Sequence, residues 1–213
     1  MDEFLVESSP IGRGASLRSE RVTMDARAFF LLHHSRVHAQ IEREFLQGLS
    51  EEQMRFRPSG LNSIAWIVWH MARCEDVLNV LMVDHPQVLD HGHWFDRLQV
   101  SSRDVGTGMA DADVSALSTS IDLTTLCGYY HAVGQSTVAV VMSLQPQELD
   151  DVPDLHRLHP DVEGVFRENA MWVISEHEGS SKGWWLGQLG IAHNQMHRGE
   201  ALTIRGLQGI RNR

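Results

Sequence analysis

Near the C-terminus, His193 and His197 stand four residues apart in the segment HNQMH. On a helix such a pair projects from one face about a turn apart, close enough to share one metal ion. A second pair of the same spacing, His34 and His38, lies in HSRVH with His33 beside it. A further histidine, His70, sits in an apolar, tryptophan-containing stretch beside Trp66, Ile67 and Cys74. Thirteen histidines in 213 residues also produce HxxxH pairs by chance, and an interior histidine is more often bonded to a carbonyl or carboxylate than to a metal. Spacing alone does not choose between the two pairs.

The neighbours of these histidines narrow the chemistry. A zinc protease of the HExxH kind needs a glutamate after the first histidine as general base, and Asn194 stands there instead. Glu200, three residues after His197, is either a carboxylate that orients a ligand or a solvated helix charge. Cys74 and Cys127 are read as small core residues rather than nucleophiles. Trp66, Trp69, Trp184 and Trp185 are candidate walls of an apolar pocket, with helix packing as the plainer use. Arg73 and Arg198 are read as solvated charges that could otherwise bind an acidic substrate.

Helices must carry these groups. Apolar residues Phe29, Leu32, Val37, Ile41, Phe45 and Leu46 recur at helical spacing over residues 25–47. A helix capped by Asn62 or Ser63 is expected to run to about Val83, where Asp84 and Pro86 end it. Residues 111–144 read as one long helix weakened at Gly128 and Gly134. Ser180 or Ser181 can cap a last helix over 183–204, with His193 and His197 on the face shared by Leu186, Leu189 and Ile204. The intervening segments 84–110 and 146–182 are longer than simple connections and could cover a site; within the second, AMWVIS suits a short strand or helix. The expected architecture is therefore an all-α four-helix bundle with two long loop insertions. Residues 1–23 read as a poorly ordered extension before a single domain over 24–213.

Composition limits the partners. Eighteen Lys plus Arg against 28 Asp plus Glu give a net charge of −10, which argues against nucleic acid and anionic membrane. No apolar run reaches the roughly 20 residues that span a bilayer. No signal-peptide pattern opens the chain, and two cysteines make no disulfide framework, so a cytoplasmic location is expected.

Two segments taken together, LNSIAWIVWHMARCED and AHNQMHRGEA, resemble the DinB-like family of metal-binding four-helix bundles, which includes YfiT-like proteins and bacillithiol- and mycothiol-dependent transferases. The resemblance implies an up-down-down-up bundle whose long crossover follows the second helix. It also implies a metal site built from His70, His193 and His197, and leaves His34 and His38 near or behind that site. A divalent ion, zinc or nickel first and iron as a further choice, is the implied cofactor. Relatives are often homodimers. Three neutral nitrogens leave a coordination position open, and characterised relatives use it to activate a low-molecular-weight thiol.

The chain is thus expected to be a metal-dependent S-transferase, isomerase or hydrolase acting on a small-molecule substrate. A non-catalytic metal-binding or stress-response module is the alternative. An oxygen-using iron site, like the DinB-like domain of sulfoxide synthases, ranks third because those enzymes carry a further domain.

Overall fold

A computed structural model describes residues 24–162 and 164–210; the expected extension, 1–23, lies outside them. Asp25 caps α1 (Ala26–Ile41) by accepting from the Ala28 amide, and the helix runs on through a π turn, Glu42–Leu46. A capping box of Ser50 and Gln53 starts the short α2 (Glu51–Arg55). Then come α3 (Ile64–Val83), α4 (Trp94–Leu98), α5 (Asp111–Ser120) and α6 (Leu123–Ser143). After α7 (Trp172–Glu176), α8 (Lys182–Gly187) passes through a second π turn, Gln188–Ala192, into α9 (His193–Leu207). No strand occurs among the described residues, and the fold is all-α, as the apolar periodicity predicts.

The helix α3 is the axis of the packing. It contacts α2, α5, α6, α8 and α9, and every residue from Ile64 to Met82 is buried. A helix buried all round must partner each of its polar groups internally. His70, Arg73, Glu75 and Asp76, the residues that interrupt its apolar run, each find an internal partner, while Arg73 Nε and Trp69 Nε1 are left without one. Its N-cap is Ser63, whose hydroxyl accepts from the Trp66 amide (3.0 Å) and donates to Ser118 Oγ (2.8 Å) on α5. Asp84, in the left-handed region at φ 56°, closes the other end with its amide bonded to Val80 O and that of His85 to Asn79 O. Ser63→Ala removes the cap and the hydrogen bond to Ser118, whose own hydroxyl still donates to Val114 O, and is expected to cost about 1–2 kcal/mol. Urea unfolding checks this, and an unchanged midpoint contradicts it.

Two expectations need correction. Residues 111–144 form two helices rather than one: the break falls at Ile121 and Asp122, where Asp122 caps α6 through the Thr125 amide, and both suspected glycines lie inside α6. Of the two forms open to AMWVIS, strand or helix, it takes the helical one and contributes most of α7. On α1 the buried stripe is Phe30, His34, Val37, Ile41 and, in the π turn, Phe45, while Phe29 and Leu32 are 53% and 57% exposed. The stripe was hidden because one of its positions is a histidine.

Neither long insertion is featureless. A 3-10 turn at Val88–Asp90 and α4 fill the first; 3-10 turns at Pro146–Asp150, Leu155–Leu158 and Glu168–Ala170 precede α7 in the second. The first is tied to α3 by Asp76, whose carboxylate accepts from the Val88 and Leu89 amides at 2.7 and 3.0 Å.

Candidate metal centre

Three imidazoles from two helices meet between α3 and α9. Ring centroids are 4.9 Å apart for His70 and His193, 4.7 Å for His70 and His197, and 4.4 Å for His193 and His197. The structure therefore brings together all three histidines singled out in the sequence. The π turn Gln188–Ala192 immediately precedes the pair on α9, an insertion frequent at functional sites. Inside it, Gly190 lets α1 come close, since a Cβ there would lie 2.8 Å from Phe30 Cζ.

Hydrogen bonds fix two of the rings. His70 Nδ1 donates to the Val105 carbonyl in the first insertion. A carbonyl only accepts, so in the neutral ring Nε2 keeps its lone pair. Burial, reinforced by the nearby His197, pushes the His70 pKa down to about 4. The ring is therefore neutral at pH 7.

His197 Nδ1 lies 2.7 Å from Glu200 Oε2, while Oε1 accepts from Asn62 Nδ2 at 2.9 Å. The hydrogen bond from His197 holds the Glu200 carboxyl below its ordinary pKa against the opposing effect of burial. Of the two roles open to Glu200, the geometry supports orientation of His197. His193 Nε2 faces His70 Nε2 at 3.2 Å, and its Nδ1 is buried without a partner. Burial, then His70 and His197, lowers its pKa well below the ordinary value.

His70 and His193 fit a divalent ion, and His197 joins them by ring centroids 4.7 and 4.4 Å away. Ligating histidines commonly give their other N–H to a carbonyl or carboxylate, as His70 and His197 do here. Tetrahedral bonds of about 2.0–2.1 Å place two ligand nitrogens about 3.3–3.4 Å apart, close to the 3.2 Å found between His70 and His193. Cys74 also lies near, and its sulfur groups with His70 and His193 as possible ligand atoms. Its Sγ, however, is 3.8 and 3.9 Å from the two nitrogens of His70, off the Nε2 lone-pair axis. Burial pushes the thiol pKa up to about 12.

A cavity of about 330 Å³ opens on the three histidines. Phe166, Trp172, Trp185, Leu189 and Met196 supply apolar wall, with Thr107, His177 and Gln188 as polar points. Among the described residues, no Arg, Lys, Asp or Glu lines it. Both long insertions contribute to this wall, Thr107 from the first and Phe166, Trp172 and His177 from the second. Trp66 stacks on His70 at 4.9 Å, Trp69 is core, and Trp184 packs on His177.

The two arginines read as solvated are engaged elsewhere. Arg73 is buried against Asp76 and Tyr129, and Arg198 clasps Glu44 through Nε and Nη2 at 2.6 and 2.7 Å. His34 and His38 gather around Glu75, with Asn194 from α9.

Sequence reading missed Val105 O and Asn62, the one a backbone atom in an aperiodic loop and the other noticed only as a cap. It also missed Gly106, which holds φ +89° and would press a Cβ to within 2.6 Å of Trp69 Cζ3. Gly106→Ala is therefore expected to destabilise by more than about 1 kcal/mol. By moving the Val105 carbonyl it should also weaken metal affinity by about tenfold. Thermal melting and metal competition check the two effects, and an unchanged affinity would separate Val105 from the site.

A family model described as the DinB superfamily matches residues 40–201, from the end of α1 into α9. A search of curated proteins finds no match to the chain. Among the described residues, no helix is long and apolar enough to cross a membrane.

Proposed function

The chain belongs to the DinB superfamily, and on that premise we propose that His70, His193 and His197 hold a catalytic divalent ion through Nε2. The observation that carries this is the convergence of three imidazoles, two with Nδ1 already committed to Val105 O and Glu200. The ion would lower the pKa of a bound water or thiol and so supply a nucleophile near neutral pH.

The protein's own groups do the rest. Glu200 and the Val105 carbonyl hold two ligand rings in place, and Trp66 backs His70. The aromatic wall excludes bulk water and receives the apolar part of a substrate. With no lysine or arginine among the described residues that line the cavity, an uncharged substrate face is favoured over an anionic one. The proposed activity is transfer or hydrolysis on such a small molecule, with a low-molecular-weight thiol or water as nucleophile. Zinc and nickel suit three neutral nitrogens, and iron is the further choice. The up-down-down-up order, a single domain over 24–213, homodimerisation and a cytoplasmic location belong to the same proposal.

Elemental analysis of protein purified without chelator tests it. One ion per chain is expected to be lost in His70→Ala, His193→Ala and His197→Ala. Retention of that ion in all three variants would overturn the assignment.

A further inference from the structure

A second polar cluster lies on the other flank of α3 and is not used by the proposed chemistry. Glu75 is fully buried, and its carboxylate meets three side chains from two other helices. His34 Nε2 is 2.7 Å from Oε1, His38 Nε2 is 2.9 Å from Oε2, and Asn194 Nδ2 donates to Oε2 at 2.7 Å. The possible ligand atoms of His34, His38 and Glu75 all fall within 4.8 Å of one another.

Among the described residues, no lysine or arginine reaches this carboxylate. A buried carboxylate needs a compensating positive charge, and here only two imidazoles stand where that charge belongs. Both point Nε2 at it, and two imidazoles with one carboxylate form a recurring ligand set for first-row divalent ions.

The surrounding helices are shaped to admit these rings. Gly134 of α6 carries no Cβ where one would sit 2.6 Å from His38 Cε1. Tyr130 stacks on His38 at 4.6 Å, and its hydroxyl is buried without a hydrogen-bond partner. Such a hydroxyl is ordinarily satisfied by a water or an ion where the chain offers nothing. The His38 side chain is 15% exposed, which gives the cluster a path to solvent.

We propose that His34, His38 and Glu75 form a second divalent-cation site, distinct from the three-histidine centre. Asn194 positions the Glu75 carboxylate for it, while its neighbour His193 serves the first centre. Net charge separates the two donor sets: the first is neutral and the second carries one negative charge.

Zinc titration of the chelator-stripped full chain against a competing chromophoric chelator tests the proposal. Two equivalents are expected in the wild type, one in the His70→Ala, His193→Ala, His197→Ala triple variant, and one in Glu75→Gln. His38→Gln, at the partly exposed ring, gives the same one-equivalent result by a change that leaves the buried carboxylate in place. Circular dichroism confirms that each variant is folded.

Equal stoichiometry in wild type, Glu75→Gln and His38→Gln overturns the second site and leaves the first untouched. A single wild-type equivalent that survives in the triple variant and disappears in Glu75→Gln does the opposite. No binding by the wild type removes both.

Discussion

Asp76→Ala is expected to cost about 3–5 kcal/mol, because it leaves the buried Arg73 guanidinium without a carboxylate. Asp76 is fully buried. It accepts from Arg73 Nη1 at 3.2 Å, Tyr129 Oη at 2.6 Å, Asn79 Nδ2 at 3.0 Å and the Val88 and Leu89 amides. Removing it therefore frees the start of the 84–110 insertion as well as the charge. Arg73 also donates from Nη2 to Arg103 O at 2.6 Å, two residues before the Val105 carbonyl that holds His70. The same substitution should for that reason weaken metal retention from a distance. Thermal melting should register a drop of roughly 6–20 °C for a chain of this length. A loss under about 1 kcal/mol would show that the network is not a structural anchor.

Acid should destabilise the metal-free protein by a comparable amount. His70 has its folded pKa near 4 because burial and then the proximity of His197 oppose its protonation, against an ordinary value of 6.5. The unfolded chain takes up the proton first. The His70 contribution to stability is therefore full above pH 6.5, falls as the pH drops toward 4, and levels off below that. At about 1.4 kcal/mol per unit, His70 alone accounts for roughly 3 kcal/mol. His193, depressed by burial and then by His70, acts in the same direction.

Glu75 extends the loss to lower pH. Burial opposes its ionised form, but the charge of His38 and hydrogen bonds from His34 and His38 outweigh it and hold the carboxyl well below 4.5. Its stabilisation is present above 4.5 and is lost as the pH falls further. Urea midpoints of chelator-stripped wild type and His70→Gln between pH 7 and 4 check the first window. A pH slope unaltered by His70→Gln would contradict the assignment.

Much of the proposed ligand set was legible because helical spacing is a local property. His193 and His197 need only the 3.6-residue repeat, and Ser63 announces the start of α3 one residue before its apolar run. What spacing left undecided was the choice between the two HxxxH pairs, since each places two imidazoles on one helical face. The partners across the bundle differ: α1 turns His34 and His38 to a carboxylate, while α9 turns His193 and His197 to another imidazole.

Glu75 itself was read only as an interruption of apolarity, because a sequence does not show that a charged residue on a fully buried helix has found its partners. The Val105 carbonyl was out of reach for a different reason. Any residue type supplies a carbonyl, and its aim depends on Gly106 and on Arg73 holding the insertion. The break at Asp122 was missed because Ile121 and the threonines around it continue an apolar pattern through a cap.

X-ray absorption of protein loaded with one equivalent of zinc, in the absence of added thiol, reads the ligand atoms themselves. The three-histidine centre predicts nitrogen or oxygen scatterers at about 2.0–2.1 Å, the outer-shell signature of imidazole, and a weaker imidazole signal in His197→Ala. A sulfur scatterer at about 2.3 Å would place Cys74 in the ligand set in place of His197 and contradict it.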